Sequence, residues 1–316
     1  MIISASRRTD LPAAHAEWLL RRLREGYALV RNPMNPHSVQ RVDLRPECVD
    51  GIVLWTKNPA PMLDRLDALK PYAYYFQYTL TAYGRDVERN LPGHEARVGS
   101  FLRLSERLGP ERVLWRYDPI LLSERYPAEW HLEAFQRYAE GLRGATDQVT
   151  ISFVDTYTRN RKRLEALGVQ PVSEAEMRSI AAELAKIAAA NGMTMVACSE
   201  AIDLRDCGVR PARCVDAERL SRIGGVPLRT GKDPNQRSAC GCAPSVDVGA
   251  YNTCPNGCGY CYANYAPSLL ATNLRNADAD SPLLCSRIGE GDHITQRKTP
   301  SLREMQTVMN FERGEP

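Results

Sequence analysis

Tyr72-Ala-Tyr-Tyr-Phe-Gln-Tyr-Thr-Leu-Thr81 is the stretch from which the fold is read. As a strand it sends alternate side chains to opposite faces. Tyr74, Phe76, Tyr78 and Leu80 fall on one face, and Tyr75, Gln77, Thr79 and Thr81 on the other. The first face suits packing on helices and the second suits a polar interior. Arg112-Val-Leu-Trp-Arg-Tyr-Asp-Pro119 repeats the arrangement, with Val113, Trp115 and Tyr117 set against Leu114, Arg116 and Asp118.

Working outward, residues 2–6 read as a strand with a polar end at Arg7, Arg8, Thr9 and Asp10. Residues 11–26 read as a helix with Trp18, Leu19 and Leu23 inside and Gly26 as its stop. Residues 38–44 read as a short strand, 51–58 as a stronger one closed by Pro59, and 62–69 as a short helix. Residues 95–108 and 130–142 read as helices, with a strand over 148–155. Ser173-Glu-Ala-Glu176 is a capping box opening a helix to Asn191, stopped by Gly192. Residues 193–200 and 245–251 read as the last strands. About eight strands alternating with helices predict an α/β fold. The expected form is a parallel (β/α) barrel, full or partial. The expected organisation is a barrel core over 1–200, a Cys-rich segment over 201–244, a final strand and cysteine loop over 245–274, and a tail over 275–316 with no assigned role.

Polar residues collect at C-terminal strand ends, the mouth where such barrels carry chemistry. Arg8, Lys57, Arg116, Asp118, Asp155 and Glu200 are the candidate catalytic residues. A single polar strand end needs no function, since it meets water. The argument lies in the set. Arg7 and Arg8 suit a carboxylate or phosphate, and Lys232, Gln236 and Arg237 either do the same or only solvate a loop.

The chain has 316 residues, 43% of them hydrophobic, enough for a full core. A net charge of +3 gives no electrostatic footprint for nucleic acid, and no apolar run is long enough to span a membrane. The first ten residues lack the apolar core of a signal peptide, so a cytoplasmic, reducing compartment is expected. There, ten cysteines read as ligands rather than disulfides, and eight of them lie between 198 and 261.

Cys254, Cys258 and Cys261 form a Cys-x3-Cys-x2-Cys run with Tyr260 before the last cysteine. Three thiolates on one short loop suit three corners of a [4Fe-4S] cluster with the fourth iron open. The stretch from Ala201 to Pro244 has little periodicity, which points to something other than an apolar core holding it. Cys198, Cys214, Cys240 and Cys242 are its candidate ligands for an auxiliary [4Fe-4S] cluster, with Cys207 as a substitute. The alternative is a zinc knot of Cys240, Cys242, Cys258 and Cys261. Cys48 and Cys285 stand alone and read as inert thiols, and His15 and His131 as surface or packing residues.

The cysteine run resembles the signature of the radical S-adenosylmethionine (SAM) enzymes. That resemblance implies a [4Fe-4S] cluster on Cys254, Cys258 and Cys261, with SAM on its open iron. It implies reductive cleavage of SAM to a 5′-deoxyadenosyl radical that takes hydrogen from a substrate. It also implies Tyr260 beside the adenine, backbone near Asn264 on the cofactor, and a reductase or flavodoxin-type electron donor. The Ser4–Asp10 stretch, Trp55-Thr-Lys-Asn-Pro59, Trp115-Arg-Tyr-Asp-Pro119, Cys240-Gly-Cys242 and the run through Asn264 are together similar to a bacterial family of unknown function, the domain numbered eighteen forty-eight. The Cys-x-Tyr-Cys-Tyr, Thr-Lys-Asn-Pro and Arg-x-Asp-Pro stretches also resemble the spore photoproduct lyase branch, which raises a nucleic-acid lyase that the weak net charge disfavours. The cluster loop comes last in this chain, so the resemblance implies a circularly permuted barrel. The expected function is therefore a radical SAM enzyme acting on a small-molecule or peptide substrate. The alternative is a non-catalytic iron–sulfur or zinc protein for redox sensing or binding.

Overall fold

In the computed structural model, which describes residues 1–298 and 300–304, the strand parity becomes two differently furnished faces. Strands β1 (Ile2–Ala5), β4 (Gly51–Thr56), β5 (Tyr74–Thr79), β6 (Val113–Ile120), β7 (Gln148–Phe153) and β8 (Thr194–Ala197) lie parallel in one sheet. The full order is β10-β1-β4-β5-β6-β7-β8-β9, with β10 (Ser245–Asp247) and β9 (Arg210–Pro211) at the edges. Ile3, Leu54, Phe76, Trp115, Ile151 and Met195 pack in the main core, together with residues of the helices. Trp115 stacks on Phe135 of α4 (Ala128–Gly141) with ring centroids 4.7 Å apart. Such a pair adds about 0.5–1.5 kcal/mol to the area it buries.

The other face carries Ile2, Val53, Tyr75, Leu114 and Val196, covered by Ala212, Cys214, Val215, Leu220, Cys240 and Cys242. The Cys-rich segment is thus a cover on the sheet rather than an appendage beside it. Tyr75 Oη and Gln77 Nε2 pin it by donating to the Cys214 carbonyl at 2.7 and 2.9 Å.

Among the described residues the sheet is open, so of the two expected forms, full or partial barrel, the closed one is not found. Its edges explain this: β9 is two residues long and contains Pro211, which has no N–H to donate, and β10 has three residues. The stretch expected as a main-sheet strand over 38–44 is β3 (Ser38–Asp43) of a second sheet, ordered β11-β3-β2 with β2 (Tyr27–Arg31) and β11 (His293–Gln296). The part of the tail that is described therefore has a role. β11 pairs with β3, Asp292 binds Arg31 at 2.6 and 2.8 Å, and Asp50 accepts the Leu302 N–H at 2.8 Å. Thr299 and residues 305–316 of the predicted tail lie outside the described residues.

The helix expected over 11–26 divides into α1 (Leu11–Ala14) and α2 (Ala16–Glu25). It breaks at His15, whose φ is −135° and whose Nε2 lies 2.8 Å from the Thr253 carbonyl oxygen. Asp10 caps α1 by accepting the Ala13 N–H at 3.0 Å, and Gly26 ends α2 in the left-handed conformation. The helix expected over 62–69 is a 3-10 helix spanning Ala60–Leu69, whose entry holds Pro59 and Pro61 and so lacks two N–H donors. α3 (His94–Leu108) and α6 (Glu174–Ala190) stand as expected, the latter with both capping-box bonds. α5 (Arg161–Ala166), α7 (Ala217–Gly224) and α8 (Pro267–Arg275) complete the set. Among the described residues no helix is long and apolar enough to cross a membrane.

Candidate metal centre and its cavity

A cavity of ≈ 380 Å³ opens at the C-terminal ends of the main-sheet strands. Arg8, Lys57, Arg116, Asp118, Asp155 and Tyr260 line it, and so do Cys198, Cys214, Cys240, Cys242, Cys254, Cys258 and Cys261. Residues more than 250 positions apart are thus gathered by strand parity and by the return of β10 to the side of β1. Glu200, Asn264 and Cys207 are not on its wall. Glu200 accepts the Phe153 N–H at 2.9 Å, and burial pushes its carboxyl up to about 7. Asn264 instead shapes the cysteine loop, donating from Nδ2 to the Cys254 carbonyl. Cys207 sits beside Asp206, which removes it as a ligand of this cavity. Cys285 is buried, and His131 is a packing residue between Tyr117 and the Leu121 carbonyl. Lys232 bonds the Ser238 carbonyl, while Arg237 lines the cavity and pairs with Asp155 at 2.7 Å.

The Cys254–Cys261 loop has almost no apolar core, so hydrogen bonds must hold its backbone. Asn252, at φ +54°, closes it by accepting the N–H groups of Tyr265 at 2.8 Å and Ala266 at 3.0 Å. Asn90 donates from Nδ2 to Pro255 O at 2.7 Å and from its N–H to Asn256 O at 3.2 Å. The Gly259 N–H reaches Val87 O at 2.8 Å. Arg163 donates to the carbonyls of Gly259, Cys261 and Asn264 at once, and Asn160 Nδ2 donates to Tyr260 O at 3.0 Å. Just upstream, Gly249 passes so close to β1 that an added Cβ would stand 2.2 Å from Ser6 Oγ. Any side chain there would push β10 and the loop away from β1.

Two buried carboxylates anchor this loop from below. Asp10 accepts Asn256 Nδ2 at 3.0 Å and the Lys57 N–H at 2.7 Å. Glu88, 2% exposed, accepts from Lys57 Nζ at 2.9 Å, Arg97 at 3.1 Å, Thr81 Oγ1 at 2.8 Å and the Tyr260 hydroxyl. Burial raises the Glu88 carboxyl, but the Lys57 and Arg97 charges outweigh it and hold the group below its ordinary value. The Lys57 ammonium also lies 5.2 Å from the centre of the Tyr260 ring.

Two of the loop's thiols, those of Cys254 and Cys258, are held protonated. Burial pushes Cys254 up to about 12, with the Asp10 charge adding to it. Burial also drives Cys258 well above the ordinary thiol range, against the pull of Lys57. Buried thiols of this kind become ligands when a metal supplies the compensating charge. Thr9 Oγ1 and Ser199 Oγ are buried on the same cavity wall without a hydrogen-bond partner among the described residues. Soft sulfur donors beside unpartnered hydroxyls fit a thiophilic metal group with a polar ligand next to it. No group of three or more His, Cys, Asp or Glu among the described residues closes on one point tightly enough for a single ion.

The second thiol group sits in the covering segment. Cys214 Sγ lies 3.3 Å from Cys198 Sγ and 3.1 Å from Arg116 Nη1, and Cys242 Sγ accepts the Val215 N–H at 3.4 Å. The contact with Cys198 lowers Cys214, but its contact with Cys242 and its burial outweigh that and push it up to about 11. Arg116 is further bound by Asp118 and by Gln77 Oε1 at 3.2 Å, and it faces the Trp55 ring at 5.1 Å. It is therefore committed to the second thiol group and the sheet.

Sequence reasoning missed Glu88, Asn90, Asn160 and Arg163. Each lies outside a regular strand and outside any motif, and its role appears only when distant loops meet.

Fold and site together define an α/β protein with an open parallel sheet and a thiol-rich cavity at its C-terminal edge. The chain belongs to the family described as Domain of unknown function (DUF1848), which matches residues 2–263 and so includes all seven cavity cysteines. No curated protein and no solved structure matches it.

Proposed function

We propose that this protein is a radical SAM enzyme acting on a small-molecule or peptide substrate. The observation that carries the reading is that the Cys254, Cys258 and Cys261 loop shares one cavity with Arg8, Lys57, Asp118 and Asp155. The strand order supports it further. If β10 preceded β1 in the chain, the neighbours in the main sheet would follow chain order from one edge to the other. That is the order of a partial (β/α) barrel whose first strand carries the cysteine loop, cut and rejoined elsewhere.

Cys254, Cys258 and Cys261 would hold a [4Fe-4S] cluster, which with SAM and an electron from a flavodoxin-type donor supplies a 5′-deoxyadenosyl radical. The chain's own residues do the rest. Arg163, Asn90 and Asn252 fix the loop so that its thiols keep their places. Glu88 holds Lys57 and Tyr260 beside Cys258, so a positive charge faces the thiolates. The Tyr260 hydroxyl is occupied by Glu88, leaving its ring as the part able to pack on an adenine. Arg8 lines the cavity 5.3 Å from the centre of the Tyr251 ring, and its guanidinium suits a carboxylate. The segment covering the sheet packs apolar side chains over the face that leads to the cavity.

The test is anaerobic reconstitution with iron and sulfide, followed by SAM and dithionite. We expect 5′-deoxyadenosine from the wild type and none from Cys258→Ala. A fully loaded protein that yields none would sink the reading and favour a non-catalytic iron–sulfur protein.

A further inference from the structure

Cys198, Cys214, Cys240 and Cys242 form a second thiol group on the wall of the same cavity. Cys198 directly follows β8, and the Cys214 carbonyl is fixed from β5 by Tyr75 and Gln77. Cys240 and Cys242 arrive on a Cys-Gly-Cys turn. A Cβ on Gly241 would stand 3.2 Å from Ala212 O, so the turn lies tight against the strand of chain leading to Cys214.

Buried thiols are common as plain packing groups, and three observations set these apart. Arg116 is 4% exposed and aims a guanidinium N–H at Cys214 Sγ from 3.1 Å. Asp118 already pairs with the Nε and Nη2 side of that guanidinium, and an anionic sulfur ligand would answer the Nη1 N–H that is left to Cys214. Cys242 Sγ receives a backbone N–H, the kind of bond that stabilises a metal-bound sulfur. Finally, the chain between α7 and β10 forms no helix or strand, yet Cys240, Cys242 and Ala243 within it are buried. Something besides regular structure must hold it there.

We propose that Cys198, Cys214, Cys240 and Cys242 bind a second centre, a four-iron iron–sulfur cluster, with Arg116 donating a hydrogen bond to its Cys214 sulfur. A single zinc would draw the same four sulfurs around one point, and the metal count below separates that outcome from a cluster. A cluster takes each thiolate on a different iron, and loading it would part the Cys198–Cys214 contact. The inference concerns what these thiols hold, and it stands whether or not the first group performs SAM chemistry.

The test counts metal in the full chain after anaerobic reconstitution. We expect about eight iron and eight sulfide in the wild type, at roughly four per cluster. The variant C254A/C258A/C261A should keep about four of each and give an electron paramagnetic resonance signal on reduction with dithionite. Adding Cys214→Ala to that variant should abolish the signal, while adding Cys207→Ala, in the same segment but off the cavity, should leave it. About four iron in the wild type that disappears in C254A/C258A/C261A, with the variant's urea midpoint unchanged, would overturn the proposal. So would one zinc per chain in place of iron in C254A/C258A/C261A. Absence of deoxyadenosine with the iron count intact would strike only the radical SAM reading.

Discussion

The two thiol groups share a cavity but are built by opposite means. The Cys254–Cys261 loop is hung from side-chain hydrogen bonds, with Arg163, Asn90, Asn160 and the buried Glu88 reaching it from other elements. The group of Cys198, Cys214, Cys240 and Cys242 is instead pressed onto the sheet, among Val53, Leu114, Val196 and Trp55, with one cation in contact. Compact motif spacing is possible where local turns place the ligands and polar bonds steady them. Scattered spacing is possible where a preformed surface does the placing. A ligand set can therefore be regular in sequence or in support, and need not be both.

The largest effect is expected from removing the polar support of the first group. Glu88→Ala leaves Lys57 and Arg97 without their shared buried carboxylate, at a cost of about 3–5 kcal/mol. Urea unfolding should show that loss, and iron counts should show the first centre depleted and the second kept. Equal depletion of both would erase the contrast.

Acid should strain the same side of the molecule. His131 is lowered to about 4 by burial, with its bond to the Leu121 carbonyl opposing the shift. It packs against Tyr83, which in turn packs against Tyr260. Above the unfolded value of 6.5 the ring is neutral in both states, so it contributes no pH dependence. As pH falls from 6.5 towards 4, the unfolded chain takes up a proton that the folded chain refuses. Stability should therefore drop by about 3 kcal/mol over that window and level off below it. His131→Gln should flatten this part of the urea-midpoint profile. An unchanged slope would mean that the ring is not the group responsible.

The smallest effect should fall on the packed group. Gly241→Ala forces a methyl towards the Ala212 carbonyl and should cost about 1–3 kcal/mol. Iron in the second centre should fall while deoxyadenosine formation per first centre stays near wild type. Loss of both would show that the groups are mechanically coupled.

Much of the sheet was legible because parity is a local property. Tyr74 and Phe76 go to the helices and Tyr75 to the other side, as alternation requires. The cysteine loop was legible as a unit because its three cysteines lie within eight consecutive residues. Closure was not, since it depends on the length of edge strands as short as Arg210–Pro211. Nor was the placement of β3, whose alternation is the same whichever sheet receives it. Glu88 was invisible for a further reason: its worth comes from Lys57, Arg97 and Tyr260, which lie 31, 9 and 172 residues away. Arg116 and Asp118 line the cavity, but their mutual pairing and the Cys214 contact needed the fold.

The pairing of β10 with β1 also sets a timetable. β1 is made well before its edge partner, Ser245–Asp247. At ribosomal rates of about 5–20 residues per second, that edge stays unpaired for tens of seconds. Throughout that interval a nascent chain carries an apolar strand with free N–H and C=O groups, the usual template for misassembly. The loop of Cys254, Cys258 and Cys261 emerges only after this gap closes. Under the proposed function, cofactor insertion into it would be a late event in biogenesis, and holding chaperones would act on the β1 edge before any metallation machinery could act on the loop.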